Sequence, residues 1–135
     1  MLRLILMKDD KVLCEIPLSP KDWEEEEFEM QMDRFLENFT RYSQITDALS
    51  NENRLRMLRF LMDEDDMTHS FSDFLRGLRM NPKIVREHAT RLKEAGYVES
   101  SGRGKYHISR RGSVLFMTAG PAVMRVIEAL EGEEI

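Results

Sequence analysis

The fold is decided by one stretch, residues 81–108, which reads NPKIVREHATRLKEAGYVESSGRGKYHI. Asn81-Pro82 predicts the start of a helix, because asparagine accepts hydrogen bonds from first-turn N–H groups and proline suits the first helical position. Gly96 predicts its end, since glycine commonly follows the last helical residues. We therefore expect a helix over 82–95.

The two sides of this helix differ in chemistry. Val85, Ala89 and Leu92 follow an i, i+4, i+7 spacing and share one side, which we predict to face the core. The other side carries polar and mostly basic residues: Lys83, Arg86, Glu87, Thr90, Arg91 and Glu94, with Ile84 at its N-terminal edge. A helix that is apolar inside and basic outside fits the major groove of DNA.

Each outer residue type has a chemistry suited to DNA. The cations can neutralise phosphates or donate hydrogen bonds to guanine. Glu87 can accept from a cytosine amino group, Thr90 can bond a base or a phosphate, and Ile84 can contact a thymine methyl group. We predict six of the outer residues as DNA contacts: Lys83, Ile84, Arg86, Glu87, Thr90 and Arg91.

A hairpin follows the helix. The runs Tyr97-Val98-Glu99-Ser100 and Lys105-Tyr106-His107-Ile108 predict two strands, and Gly102-Arg103-Gly104 predicts the tight turn that joins them. Arg103 and Lys105 place positive charge at the tip of this hairpin. We predict a wing over 98–108 in which these two side chains contact DNA.

The charge distribution indicates where a polyanion would bind. The net charge of the 135 residues is −5, yet residues 76–111 contain 10 Lys and Arg and only 3 acids. Residues 1–75 are strongly acidic, with 18 acids against 9 Lys and Arg. A basic block inside an acidic chain is a more specific sign of nucleic-acid binding than a uniform charge.

The composition is that of one globular domain, with 41% hydrophobic and 33% charged residues. The apolar runs fall short of the roughly 18–20 residues that span a bilayer, and residues 4–7 are too few for a signal peptide. The single cysteine, Cys14, excludes an intrachain disulfide and suits a reducing compartment. We expect a cytoplasmic protein without a membrane partner.

The N-terminal third predicts a β-hairpin and a long amphipathic helix. Apolar runs at 2–7 and 11–16 flank a polar turn, and Ser19-Pro20 predicts the helix start. A stripe with spacings of 4, 3, 4 and 3 follows: Phe28, Met32, Phe35, Phe39 and Tyr42. Such a stripe packs on the protein's own core or on a second copy, and the sequence leaves both open.

Three short helices are predicted before the helix at 82–95. They are a turn or two at 45–49, a core helix capped by Ser50 or Asn51, and a helix capped by Ser72. The acidic run 63–66 predicts a loop, and 67–70 an irregular extension of it.

A last apolar helix is predicted over 114–130, kinked or divided at Pro121. Its residues Val123, Ile127 and Leu130 form the second candidate dimer surface. Both terminal segments carry more apolar surface than a small DNA-binding core can cover, so we expect a homodimer.

Residues 45–117 resemble an ArsR-type winged helix regulator. The landmarks are Ala48-Leu49-Ser50, Arg54-Leu55-x-x-Leu58-x-x-Leu61, Asn81-Pro82-Lys83, Glu94-Ala95-Gly96-Tyr97-Val98 and Ser109-x-x-Gly112. The resemblance implies a dimer, a recognition helix at 82–95 and a wing at 98–108. One departure is Ala89, at a position where the family usually has leucine.

The sequence departs from the metal sensors of that family. Their thiolate sites need paired cysteines before the helix-turn-helix, and residues 113–130 contain no His and one Glu. His69, His88 and His107 fall in three separate segments, without a catalytic spacing to Cys, Ser or acid residues. We expect no metal site, no cofactor and no enzymatic activity, and we expect His88 on the helix surface or beside a phosphate.

The ten methionines allow two interpretations. Met57, Met62, Met117 and Met124 can line an adaptable pocket for an apolar effector, or they can simply fill the core. The sequence gives no support for an effector beyond this.

Together these features predict a mainly α fold with a small β-wing (α+β), a winged helix-turn-helix. Its predicted segments are 1–42, a hairpin plus amphipathic helix for dimerisation or packing; 43–112, the DNA-binding domain; and 113–135, a C-terminal helix for dimerisation. The predicted function is that of a dimeric regulator of transcription that binds double-stranded DNA. The alternative is a protein-interaction winged-helix scaffold in a transcription or chromatin complex.

Overall fold

The computed structural model describes residues 1–133, and the chain divides into two compact units, Met1–Tyr42 and Ser43–Ile135. The last two residues of the predicted segment 113–135 lie outside the described residues.

The first unit opens with an antiparallel hairpin of β1 (Arg3–Lys8) and β2 (Lys11–Pro17). A single 3₁₀ turn, Pro20–Asp22, precedes helix α1 (Glu25–Glu37). Helix α2 (Phe39–Ala48) starts in this unit and continues into the second.

The expected single helix from Ser19-Pro20 to Tyr42 is wrong. The Ser19 side chain makes no capping hydrogen bond, and Trp23 returns to an extended conformation at φ −101° and ψ 148°. The Trp23 indole donates to the Pro17 carbonyl at 2.9 Å. At this point the chain therefore contacts the end of β2 and does not continue as a helix. A second break lies at Asn38, at φ −100° and ψ 16°, and separates α1 from α2.

The second unit has the element order of a winged helix-turn-helix. After α2 come α3 (Glu52–Met62), β3 (Thr68–Ser70), α4 (Phe71–Leu78), α5 (Pro82–Glu94), β4 (Val98–Ser100), β5 (Lys105–Ile108), α6 (Arg110–Met117) and α7 (Val123–Gly132). The sheet has the strand order β3-β5-β4 and is antiparallel throughout.

Three local predictions in this unit are corrected, and one of two alternatives is confirmed. The short turn at 45–49 belongs to the longer α2, and Asn51, one of the two predicted caps, is the residue that caps α3. Residues 68–70 form a strand, because Thr68 pairs with His107 across the sheet. Ser70 rather than Ser72 caps α4, in a capping box with Asp73.

The core of the second unit lies where α3, α4 and α5 meet the sheet. Its fully buried large side chains are Met57, Leu58, Leu61, Phe74, Val85, Leu92 and Tyr97. The apolar stripes read from the sequence of α3 and α5 therefore face inward, as the helical periodicity predicts.

A compact joint fixes the wing to α6. The Ser109 hydroxyl donates to the Gly96 carbonyl at 2.7 Å and accepts from the Gly112 N–H at 2.8 Å. A Cβ on Gly112 would lie 2.4 Å from the Tyr97 carbonyl oxygen, so only glycine fits there. The Tyr97 hydroxyl in turn donates to the Ile45 carbonyl at 2.8 Å. These contacts explain the Ser109-x-x-Gly112 pattern.

The C-terminal helices are continuous. Pro121 lies in a π-helical segment, Thr118–Ala122, that joins α6 to α7, so the proline changes the helix locally but does not divide it. The resulting helix, Arg110–Gly132, is long and apolar enough to cross a membrane by length and composition. The sequence-based statement that no stretch reaches that length is therefore wrong.

Candidate nucleic-acid interface

Helix α5 begins and ends where its sequence predicts. The Asn81 side chain accepts a hydrogen bond from the Ile84 N–H at 2.9 Å, and Pro82 occupies the first helical position. Gly96 follows the helix with φ +86°, a conformation that glycine adopts without steric cost.

The two sides of α5 are separated as expected. Val85 and Leu92 are 0% exposed and Ala89 is 5% exposed, so this side is core. The predicted DNA contacts on the other side are all exposed except Ile84, which is half-buried: Lys83, Arg86, Glu87, Thr90 and Arg91.

The cations of α5 differ in their surroundings. No side-chain partner of Lys83 is found among residues 1–133. The Arg86 guanidinium lies 5.3 Å from the centre of the Phe71 ring. Arg91 Nη1 lies 3.3 Å from Asp47 Oδ2, and these side chains are 61% and 60% exposed. An ion pair so exposed contributes at most about 1 kcal/mol, so a phosphate can replace Asp47 at little cost.

The wing tip presents its two cations to solvent. Gly102 and Gly104 adopt φ +79° and +70°, which lets the turn close tightly. Arg103 and Lys105 are exposed. The Phe71 N–H donates to the Gly104 carbonyl at 2.9 Å and so ties the wing to the start of α4.

A buried arginine links α2 to α5. Arg54 is only 5% exposed, and its guanidinium donates to the Ala48 carbonyl at 2.7 Å and to the Asp47 carbonyl at 2.9 Å. Its Nη1 lies 3.2 Å from Nδ1 of His88. Because arginine only donates, His88 Nδ1 must accept, and the imidazole proton is on Nε2.

The expectation of a surface or phosphate-side role for His88 is therefore wrong. Burial lowers the pKa of His88, as do the charges of Arg54 and Arg91, while Glu87 partly offsets them. The neutral ring that Arg54 requires is thus the favoured form. Sequence reasoning missed this role of Arg54, although its i, i+4, i+7 spacing with Leu58 and Leu61 puts it on the core side of α3.

Residues 51–100 match the sequence model of a family described as bacterial regulatory protein, arsR family. This stretch is an arsR-family domain. It runs from the cap of α3 through α4 and α5 to the first wing strand, and thus includes the whole helix-turn-helix.

Solved structures confirm the fold of the arsR-family domain. The homodimeric winged helix-turn-helix DNA-binding domain of Mb0332 from Mycobacterium bovis (fragment 1–100) is 22% identical, with TM-score 0.55 over 76% of this chain and 92% of that one. Sco5413, a MarR family transcriptional regulator from Streptomyces coelicolor, is 17% identical, with TM-score 0.53 over 78% and 76% of the two chains. A comparison with curated proteins finds no match.

The start of α4 in the arsR-family domain holds a second histidine. The His69 ring stacks on Phe60 with centroids 3.9 Å apart, and its Nδ1 lies 3.1 Å from Asp73 Oδ2. The Ser70 N–H also donates to Asp73 at 3.0 Å. This backbone hydrogen bond and then the one from His69 hold the pKa of the Asp73 carboxyl well below its usual range.

The sequence named no metal ligands, and three of the methionines considered for an effector pocket lie in different surroundings. Across residues 1–133 no group of three or more His, Cys, Asp and Glu side chains is arranged to hold a metal ion. Met57 is buried in the core, whereas Met117 and Met124 are about half exposed on the C-terminal helices.

The candidate dimer residues lie on exposed helix surfaces. On α1 and α2, Phe28 is half-buried against Trp23, and four residues are 41–53% exposed: Met32, Phe35, Phe39 and Tyr42. On α7, Val123, Ile127 and Leu130 are 39–46% exposed.

Proposed function

We propose that the chain is a cytoplasmic regulator of transcription that binds double-stranded DNA as a homodimer and carries no catalytic activity. One observation carries the proposal: α5 buries its apolar side completely and turns its cations outward. The wing tip adds two exposed cations within the same domain. The family of regulatory proteins to which the domain belongs supports this assignment.

In this proposal α5 enters the major groove and the wing contacts the adjacent groove or backbone. The contacts are the six residues of α5 predicted from the sequence, together with Arg103 and Lys105. On binding, Arg91 leaves its ion pair with Asp47 and pairs with a DNA phosphate, because an exposed ion pair is weak and a duplex presents many phosphates.

The test compares Arg86→Ala and Arg91→Ala with Arg59→Ala, an exposed arginine on α3. A lost specific base contact costs about 1–3 kcal/mol, or about 5- to 150-fold in affinity. We expect Arg86→Ala and Arg91→Ala to weaken binding to DNA from upstream of the chain's own gene, with unchanged thermal stability, and Arg59→Ala to bind like the parent. Unchanged binding in both α5 variants would remove α5 from the interface.

The alternative is a protein-interaction scaffold in a transcription or chromatin complex. It is favoured by the strongly acidic residues 1–75 and by the exposed aromatic residues of α1 and α2. Mobility-shift assays distinguish the two functions. A regulator gives a distinct complex with its upstream DNA at concentrations at which a random duplex of equal length gives none, whereas a scaffold gives no specific complex.

The homodimer is proposed from the exposed apolar side chains of both terminal segments. Isolated two-stranded hairpins are marginal in water, and this one exposes about half of Leu4, Leu6 and Ile16 on one face. The α7 stripe is similarly uncovered. In a second copy such stripes can bury each other. A domain from Mycobacterium bovis that shares this fold is homodimeric.

Light scattering at micromolar concentration tests the dimer, and a strict monomer would refute it. Phe39→Glu and Ile127→Glu then identify the interface, because a charge in the apolar contact dissociates the dimer only where that helix takes part.

The C-terminal helix is proposed to lie outside the membrane, because Arg125 and Glu128 interrupt its apolar stretch. We expect the protein in the soluble fraction of lysed cells, and recovery with the membranes would contradict a cytoplasmic location.

A further inference from the structure

The joint between α4 and α5 holds an arginine in an unfavourable backbone conformation. Arg79 ends α4 with φ 54° and ψ 40°. In this left-handed region the Cβ crowds the carbonyl oxygen, so helices that end this way usually have glycine or asparagine here. Arginine is therefore a poorer choice than glycine for folding alone.

Contacts within the chain do not account for this arginine. Its side chain is exposed, and across residues 1–133 it makes no hydrogen bond, ion pair or ring contact. Met67 is the other non-glycine residue of the second unit with a left-handed backbone, and backbone hydrogen bonds hold it in that conformation. Its backbone N–H and carbonyl both make hydrogen bonds, to the Glu64 carbonyl and from the Ile108 N–H.

The surroundings of Arg79 suit an anion. Residues 74–86 contain four cations and no acid. Arg56 Nη2 lies 3.5 Å from the Leu78 carbonyl, which brings a further guanidinium next to Arg79. Arg79 also lies three residues before the first residue of α5. It therefore lies between the helix that crosses the sugar-phosphate backbone in a helix-turn-helix and the helix that enters the groove.

We propose that Arg79 binds a backbone phosphate of the DNA duplex and thereby sets the depth and register of α5 in the groove. The unfavourable backbone conformation is retained because glycine, which would relieve it, has no cation. This contact is independent of base sequence, unlike those predicted for the outer side of α5. The inference rests on the proposed DNA-binding function.

The test uses four variants of the full chain. Arg79→Gly removes both the cation and the crowding, Arg79→Gln removes only the cation, and Arg79→Lys restores a charge. Met67→Gly is the matched control, because it relieves the same conformation away from the turn. Fluorescence anisotropy measures binding to a 30-base-pair duplex from the upstream region and to a random duplex of the same length, from 50 to 200 mM KCl.

We expect Arg79→Gly and Arg79→Gln to bind both duplexes more weakly by the same factor, about 10-fold per protomer at 50 mM salt, because each protomer releases one fewer counterion. The slope of log affinity against log salt should become shallower by about 0.9 per lost contact. Arg79→Lys should recover most of the affinity. Arg79→Gly and Met67→Gly should both raise the melting temperature, and Met67→Gly should leave binding unchanged.

Three results have different meanings. If the parent chain binds neither duplex at 50 mM salt, the proposed function itself fails. If the parent binds and Arg79→Gly and Arg79→Gln bind equally well with the same salt slope, only the phosphate contact is overturned. If Arg79→Gln loses affinity for the upstream duplex alone, Arg79 reads bases and the sequence-independent contact is overturned.

Discussion

Replacing Arg54 by methionine tests the link between α2 and α5. The variant keeps an apolar stem of similar length and loses the guanidinium, which donates at 2.7, 2.9 and 3.2 Å to two carbonyls of α2 and to His88. Hydrogen bonds from a charged group contribute roughly 1.5–3 kcal/mol each in mutational series. Their sum overstates the loss, because methionine also removes the cost of burying a charge.

We therefore expect Arg54→Met to lower the free energy of unfolding by about 3 kcal/mol. The total free energy of unfolding of a small domain is roughly 5–15 kcal/mol, so the expected loss is a large fraction of the total. For a domain of the size of the second unit, Ser43–Ile135, the melting temperature should fall by roughly 12–24 °C.

The assay is urea unfolding followed by circular dichroism at pH 7.5. The midpoint should shift to lower urea while the slope stays the same, since the exposed surface of the unfolded state does not change. Arg59→Met is the matched control, because Arg59 lies on the same helix with its side chain exposed. That variant should stay within about 0.5 kcal/mol of the parent. A loss below about 1 kcal/mol for Arg54→Met, or one equal to the control, would refute the argument that the buried guanidinium holds α2 to α5.

Three further predictions concern a histidine, a glycine and a capping carboxylate. Stability should fall as the pH drops through about 6.5, because the pKa of His88 is lowered in the fold and the unfolded chain binds the proton first. His88→Asn keeps an acceptor near the Nδ1 position and should flatten this fall in urea titrations at pH 7.5 and 5.5; an equally steep fall would assign it to another group. Gly112→Ala should cost about 2 kcal/mol in thermal unfolding, since its Cβ meets backbone at 2.4 Å, whereas Gly120→Ala, with open space around it, should not destabilise the protein. Asp73→Asn should lower the melting temperature at pH 7, and the difference should shrink below about pH 4, because a carboxyl with a depressed pKa stabilises the fold only while it is ionised; a constant difference down to pH 3 would contradict that role.

The helix-turn-helix and the wing follow from the sequence with few errors. The start of α5 depends on Asn81 and Pro82, and its inward face on the spacing of Val85, Ala89 and Leu92. These signals act within one or two helical turns, so they need no knowledge of distant residues. For the same reason the tight wing turn is readable from its glycines.

Tertiary structure decides what depends on distant segments meeting. Residues 68–70 become a strand only because β5 offers them an edge, and the expected long N-terminal helix is interrupted where Trp23 bonds Pro17. Likewise Arg54 meets His88 across 34 positions of sequence, and Arg91 meets Asp47 across 44. Local periodicity indicates which side of a helix is apolar, but the partner of each polar group is set by the packing of the whole domain.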